Sequence, residues 1–177
     1  GTGDMTDYSA ENPAPWMQNA QYINRVTISQ GITGIGDYAF ADCQELYNVT
    51  IADSVTRIGT AAFAGCSSLT DIVVDENNTI YDSREECNAI IETATNTLIC
   101  GCQNTIIPSS VTRIGESAFN RCDSLKTISI PENVTSIGDL AFYCCSSLTA
   151  IAIPNTLTNI GKSAFSDCKS LTSLTIP

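Results

Sequence analysis

Apolar and polar residues alternate in short segments that recur along most of this chain. In "LKTISIP", which begins at Leu125, the leucine and the two isoleucines are separated by polar residues. This period-two pattern predicts a short strand with one buried and one exposed face. The proline that follows ends the strand without removing a hydrogen bond from a central ladder.

Several kinds of residue recur with one spacing. Ile-Gly pairs begin at residues 35, 58, 114, 137 and 160, so the steps between them are 23, 56, 23 and 23 residues. All five phenylalanines keep these steps, at 40, 63, 119, 142 and 165, and a cysteine and a leucine follow each of them three and six residues later. Because 56 equals 23 plus 33, one unit is longer than the others by ten residues. A fixed period of this length indicates a repeat protein.

A unit of 23 residues is too short for a full strand–helix–strand crossover. We therefore expect each coil to place one short strand beside its copy in the next coil, in parallel and about 4.8 Å away. The glycine of the Ile-Gly pair lets the chain reverse, either through a positive φ or through close approach of two backbones. The following residues, as in "GESAF", then form one 3₁₀ turn or a single α turn, and the phenylalanine fills the centre of the stack. No coil buries its apolar face alone, so repetition itself builds the core.

The period also predicts the organisation of the chain. Residues 1–21 are interpreted as a polar lead and a degenerate capping coil, with Trp16 as a lid over the end of the stack. Residues 22–177 are predicted to form a single solenoid whose long coil spans 75–107. In that coil, "CNAIIETATNTLICGC" has two apolar runs around a turn-like "TATN", which predicts a β-hairpin that projects from the solenoid or lies on it. "NTIIP" is then expected to resume the regular strand, with Ile107 in the column of Ile130.

These columns resemble those of the BspA-like, or Treponema-type, bacterial leucine-rich repeat proteins. The family signature is a 23-residue repeat with I-P, V-T-x-I-G, A-F and C-x-x-L in that order, and "IPENVTSIGDLAFYCCSSLTAI" from Ile130 matches it nearly throughout. The resemblance covers about residues 22–177 and implies a curved, right-handed leucine-rich-repeat solenoid of the α/β horseshoe class, rich in strand. It also implies an extracellular or cell-surface binding protein of adhesin-like function, and it carries no catalytic residues across.

Composition narrows the choice of partners. Nineteen acidic against eight basic residues give a net charge of −11, which argues against nucleic acid because no basic stripe is present to neutralise phosphates. The charge likewise disfavours an anionic membrane surface, and no apolar run approaches the roughly 18 residues of a membrane span. The chain has no histidine, the commonest general base and a common metal ligand. We therefore expect no direct membrane insertion, no nucleic acid partner and no cofactor.

The nine cysteines are better explained by packing than by chemistry. The five in the repeat column are interpreted as small buried thiols, because parallel neighbouring strands hold their Cβ atoms farther apart than a disulfide allows. Cys87, Cys100 and Cys102 lie in the long coil, where Cys87 could form a disulfide with one of the other two. A zinc site is disfavoured there because no fourth ligand is apparent. The acidic residues Asp75, Glu76, Asp82, Glu85 and Glu86 match no calcium-binding loop and are interpreted as a solvated segment.

The outward positions of the strands are the candidate binding surface. In the fifth position of the strand, most coils carry a polar or small residue, but Val73 and Ile106, which flank the long coil, are aliphatic. Two large aliphatic residues on such a polar surface are expected to be buried by a cover, that is, by another group of atoms. The cover is either internal, from the hairpin around Ile90, Ile91 and Leu98, or an external partner. The predicted surface comprises Tyr47, Asn48, Thr50, Asp71, Val73, Asn104, Ile106, Thr127 and Ser129.

Three functions are compatible with this pattern. A non-enzymatic protein that binds a protein, matrix or host-surface ligand is favoured. The alternative is a structural spacer within a larger surface protein. A polysaccharide-active enzyme is disfavoured, because an enzyme should interrupt its repeat to install catalytic residues, and the one large interruption is rich in Thr, Asn and Ile.

Overall fold

The chain forms a stack of coils built from short strands and tight turns, and the structure, a computed structural model, describes residues 1–175. The strands are β1 (Gly3–Asp4), β2 (Arg25–Ile28), β3 (Ile32–Ile35), β4 (Asn48–Ile51), β5 (Arg57–Ile58), β6 (Asp71–Val74), β7 (Tyr81–Asp82), β8 (Ala89–Glu92), β9 (Thr97–Gly101), β10 (Arg113–Ile114), β11 (Ser136–Ile137), β12 (Ala150–Ala152), β13 (Asn159–Ile160) and β14 (Ser173–Thr175). Two 3₁₀ helices in this range span Met17–Tyr22 and Arg84–Glu86. This architecture confirms the predicted leucine-rich-repeat solenoid.

Most strands at the end of a repeat stack in parallel and in register, as the period predicts. The strand predicted for "LKTISIP" is wrong, because only Thr127 pairs there, in a single bridge to Ala150, and residues 104–108 on its other side form no strand. β2, β4 and β6 form one sheet in which Val26 pairs with Val49 and Val49 with Ile72, and β12 pairs in the same way with β14. Burial alternates along β2 and β6, so the apolar residues face the core. We call this the repeat-strand sheet.

The repeat-strand sheet is interrupted at the long coil, where one prediction is wrong. Residues 104–108 do not resume a regular strand. The reason is local, because the Ile106 N–H donates to the Cys87 carbonyl oxygen rather than to a neighbouring repeat strand. Ile107 nevertheless keeps its column, since it and Ile130 are equally buried.

The Ile-Gly segments form a second set of sheets, and the hairpin belongs to it. β1, β3 and β5 make one sheet, and the other has the order β13-β11-β10-β9-β8-β7. β8 and β9 are antiparallel, which confirms the hairpin, and β9 then pairs in parallel with β10. The expectation that the hairpin projects from the solenoid or lies on it is therefore wrong. The hairpin occupies the position of a coil within the stack.

Aromatic rings form a ladder through the centre of the stack. The ring centroids of Phe40 and Phe63 lie 5.5 Å apart. The centroid of Phe142 lies 5.0 Å from that of Phe119 and 5.3 Å from that of Phe165. At the N-terminal end, Trp16 stacks on Phe40 at 5.4 Å and donates its indole N–H to the Ala39 carbonyl. These stacked rings form the centre of the core, as the repeat predicts.

The Ile-Gly glycine is required by close approach of two backbones rather than by a positive φ. A Cβ at Gly138 would lie 2.6 Å from the Glu116 nitrogen, and Gly138 is not among the residues with positive φ. The positive φ occurs two residues later, at Tyr38, Ala61, Ser117, Leu140 and Ser163, with values of 52–56°. The turn is thus made by a non-glycine residue, while the glycine lets adjacent coils touch.

Candidate functional site

The outward side chains of the repeat-strand sheet form the predicted binding surface. Tyr47, Val73, Asn104, Ile106, Thr127 and Ser129 are exposed, and Asn48, Thr50 and Asp71 are half-exposed. The register of β4 and β6 places Asn48 beside Asp71 and Thr50 beside Val73. The structure therefore brings these four residues together on two neighbouring strands.

The N-terminal part of this face is polar and internally bonded. The Asn48 amide donates to the Asp71 carboxylate, and the Arg25 guanidinium lies 5.8 Å from the centre of the Tyr47 ring. Such cross-strand contacts stabilise a sheet by a few tenths to about 1 kcal/mol each. They link neighbouring strands across this half of the face, which is a polar surface.

Val73 and Ile106 are uncovered, which excludes the internal cover. Their exposed fractions are 45% and 75%, whereas Ile90, Ile91 and Leu98 of the hairpin are completely buried. The physical reason is that the hairpin is paired into the second sheet, where its aliphatic side chains fill the core of the stack. The expectation that the hairpin folds over Val73 and Ile106 is therefore wrong.

The segment between these two residues was missed by the sequence reasoning. The Val74 N–H donates to the Ser83 hydroxyl and the Ile106 N–H to the Cys87 carbonyl, so residues 83–87 lie between the two strand positions. Glu85 and Glu86 are exposed there. Both have a positive φ, of 60° and 52°, a conformation that is uncommon for residues other than glycine.

The exposure of Glu85 and Glu86 agrees with the solvated segment predicted from the sequence, and Arg84 links this segment to its neighbours. Arg84 forms an ion pair with Asp82, with 2.6 Å between Nη2 and Oδ2, and also donates to Asn96 and Ser110. Arg84 thus ties the backbone that carries the two glutamates to neighbouring segments of the long coil. The only sequence signal for this was the acidic cluster, which carries no strand or helix periodicity.

A groove follows on the C-terminal side of Ile106. It has a volume of about 440 Å³ and is lined by Thr105, Ile106, Ile107, Thr127, Ile128, Ser129 and Pro131. In the described part of the chain, no backbone hydrogen bond joins residues 104–108 to residues 126–131. Three of the predicted site residues, Ile106, Thr127 and Ser129, therefore meet in one depression.

The thiols are placed for packing. All nine cysteines are free, and seven of them are buried. Burial raises the pKa of Cys43 and Cys87 to about 11 and that of Cys122 to about 12. The Cys66 and Cys145 thiols each donate to a phenylalanine carbonyl of the preceding coil, at 3.2 and 3.1 Å. Over residues 1–175, no cluster of three or more metal-ligating side chains is found.

The same range contains no helix that is long and apolar enough to cross a bilayer.

Comparison with known proteins assigns the repeat. A family model described as the BspA-type leucine-rich repeat region matches residues 17–97 and 88–177, with six copies. Among curated proteins, no match is found.

Solved bacterial structures share the fold. A leucine-rich repeat protein from Eubacterium ventriosum is 25% identical, with a TM-score of 0.55 over 98% of this chain and 65% of that one. A leucine-rich repeat protein from Bacteroides ovatus is 28% identical, with a TM-score of 0.53 over 86% of this chain and 37% of that one. The pneumococcal vaccine antigen PcpA, at 19% identity, has a TM-score of 0.60 over 85% of this chain and 50% of that one. The chain thus spans less than two thirds of the length of each.

Proposed function

This chain belongs to the BspA-type leucine-rich repeat family, and on that premise we propose that it is a non-enzymatic, adhesin-like module that binds a protein ligand through the outward face of its repeat-strand sheet. The family is one of exported and surface-attached bacterial proteins, so we propose an extracellular or cell-surface location. The ligand class is a host-surface or matrix protein.

One observation carries the proposal. Val73 and Ile106 stand exposed on a face whose other outward strand positions carry Thr, Ser, Ala, Asn, Asp and Arg25, with Tyr47 at its edge. Apolar anchors within a polar rim are the usual anatomy of a protein interface, in which a few buried side chains supply most of the binding energy. Asp71 lies on this face, and the exposed Glu85 and Glu86 belong to the segment between Val74 and Ile106. A partner with apolar side chains flanked by lysine or arginine would therefore complement this surface.

The size of the effect can be stated in advance. Covering the exposed parts of two aliphatic side chains contributes about 2 kcal/mol. That free energy corresponds to roughly a thirtyfold change in the dissociation constant.

The test is a double variant, Val73→Thr with Ile106→Ser. Thr50 and Ser129 occupy the corresponding positions of other coils, so the fold should accept both changes. Wild type and variant are measured by biosensor against a panel of purified extracellular-matrix proteins. We expect the wild type to bind at least one of them and the variant to bind it roughly thirtyfold more weakly, with an unchanged melting temperature.

Tyr38→Ser is the matched control. Tyr38 is an exposed aromatic residue at 45%, it lies in the turn after an Ile-Gly pair, and Ser117 and Ser163 occupy the same position in other coils with the same positive φ. This control should bind as the wild type does. Equal affinity of wild type and double variant would contradict the proposed surface, and a wild type that binds no ligand would favour the spacer function.

A further inference from the structure

A depression lies at the N-terminal end of the stack, between the N-terminal lead and the turn that follows the first Ile-Gly pair. It has a volume of about 400 Å³, and its large lining side chains are Tyr8, Pro13, Met17 and Tyr38. We call it the tyrosine depression. The Tyr8 N–H donates to the Asp37 carbonyl at 3.0 Å, and the Tyr8 ring packs edge-on against Trp16 with 5.6 Å between centroids. The lead side of the depression is therefore held in place by the fold.

The repeat does not account for the second tyrosine of this depression. Tyr38 has a φ of 52°, in the left-handed region that is costly for a large residue. The corresponding residues of other coils include no aromatic one, since they are Ala61, Ser117, Leu140 and Ser163. The core does not require the Tyr38 ring either, because 45% of the residue is exposed. A ring that stands at a strained position and open to solvent is a candidate contact for a ligand.

A second depression adjoins the first. It has a volume of about 330 Å³ and shares Met17 and Asp42 with the tyrosine depression, so the two form one continuous surface. We call it the glutamine depression, because its lining includes Gln18, Gln21 and Gln44. All three of these residues are exposed, and each carboxamide offers both donors and an acceptor to a ligand.

The charges around the two depressions do not favour an ionic ligand. Of the two carboxylates in the linings, Asp42 is already paired with Arg121, at 2.7 Å between Oδ1 and Nη1, which leaves Glu45 alone to attract a cation. Among the described residues, no lysine or arginine lines either depression, so an anion would find no counter-charge in the lining. The surface thus presents aromatic rings beside neutral hydrogen-bonding groups.

We propose that the two depressions bind a neutral oligosaccharide, whose sugar rings pack against Tyr8 and Tyr38 and whose hydroxyls hydrogen-bond to the carboxamides of the glutamine depression. A pyranose ring has an apolar C–H face that suits an aromatic wall, and its hydroxyls donate and accept as a carboxamide does. Each volume lies in the range of about 300–1,000 Å³ that is usual for small-molecule sites. Neither depression includes a residue of the proposed protein-binding face, so this site is independent of that function.

The test uses maltotetraose, cellotetraose and tri-N-acetylchitotriose, three neutral oligosaccharides of different shape, in NMR titrations that follow the tyrosine ring signals. We expect at least one of them to shift the signals of Tyr8 and Tyr38 and to leave those of Tyr143, in a C-terminal coil, unchanged. Tyr38→Ser introduces the residue of two other coils and should weaken binding of that sugar about tenfold, since it removes a stacking ring. Gln44→Ser, which introduces the residue of Ser67 and Ser146, should weaken it about fivefold.

Tyr22→Ser is the matched control, because Tyr22 is an exposed tyrosine, at 73%, that lines neither depression. It should bind the sugar as the wild type does. The proposal is overturned if none of the three sugars shifts either ring, or if Tyr38→Ser binds as tightly as Tyr22→Ser. A cation site would instead bind spermidine more tightly than any of the sugars, and that result overturns the proposal too. Loss of sugar binding in Tyr38→Ser with unchanged binding of a protein ligand would separate this site from the protein-binding face.

Discussion

At the scale of single residues, the repeat depends on two backbone requirements that fall on different positions. The Ile-Gly glycine must lack a Cβ because the next coil touches it, whereas the residue two positions later must adopt a positive φ. The second position is occupied by Tyr, Ala, Ser and Leu, which enter this conformation at a cost. The packing of the stack therefore imposes a conformation that these residues do not prefer.

Replacement of Gly138 tests the first requirement. In Gly138→Ala the new Cβ would lie 2.6 Å from the Glu116 nitrogen and 2.8 Å from the Gly115 carbonyl carbon, and backbone atoms cannot yield without separating the coils. We expect the free energy of unfolding to fall by about 1–3 kcal/mol, as for overpacked cores. Urea denaturation measures this, with Glu132→Ala at an exposed site as the control. A variant as stable as the wild type would show that the coils are not in contact at this glycine.

At the scale of elements, side-chain hydrogen bonds join the long coil to the N-terminal coils, where regular coils would be joined by backbone hydrogen bonds between strands. Asn78 stands 23 residues after Val55, in a column where Val111 and Val134 are fully buried. Its amide donates to the carbonyls of Ala52 and Val55, both at 2.9 Å. Its Oδ1 accepts from the N–H groups of Ile80 and Tyr81. One buried amide thus replaces the apolar residue of the repeat and satisfies four backbone groups.

Asn78→Ala should therefore be strongly destabilising. It leaves buried backbone donors and acceptors without partners, each worth about 1–3 kcal/mol. We expect a loss of about 3 kcal/mol or more in the free energy of unfolding, measured by urea denaturation. Asn77→Ala is the matched control, because Asn77 is exposed and bonds only to Asp75. A loss no larger than that of the control would mean that Asn78 does not anchor the long coil.

The elements that repeat regularly along the chain could be predicted from the sequence, whereas the packing of those that occur once could not. The phenylalanine and cysteine columns and most of the strands follow from the 23-residue period, because each regular coil repeats the environment of the last. The hairpin was recognised from its two apolar runs, but its place in the stack was not, because an aliphatic strand suits a core and a surface cover equally well. Asn78, Glu85 and Glu86 were missed as structural positions because their roles depend on contacts that occur once in the chain.

At the scale of the whole molecule, the core consists of two apolar clusters that share the hairpin. Ile90, Cys100 and Cys102 pack with the N-terminal coils, while Ala89, Ile91 and Leu98 pack with the C-terminal ones. Thiols occur in both clusters, so their ionisation affects the stability of the entire stack.

Alkaline pH should therefore limit stability. Burial raises the pKa of Cys43 to about 11 and of Cys122 to about 12, from an ordinary value of 9.0. Because the folded state binds these protons more tightly, the contribution of the thiols to stability is fully present below about pH 9 and is lost as the pH rises towards 12. Urea midpoints measured with reductant at pH 7.5, 9 and 10.5 should show this fall. Cys122→Ala should have a shallower dependence on pH, and an identical one would contradict the assignment.

The plane between the N-terminal coils and the hairpin has a mechanical consequence. β5 and β7 belong to different sheets, and the plane is bridged by side chains such as Asn78, Tyr81 and Ser83, with few backbone hydrogen bonds. Elsewhere, neighbouring coils are joined by rows of parallel backbone bonds that must all yield together. A tensile load along the stacking axis would consequently separate the molecule first at this plane. The two parts would remain tethered by the chain around Asp75, and the molecule would lengthen there while Ile90, Cys100 and Cys102, which pack with the N-terminal coils, became exposed.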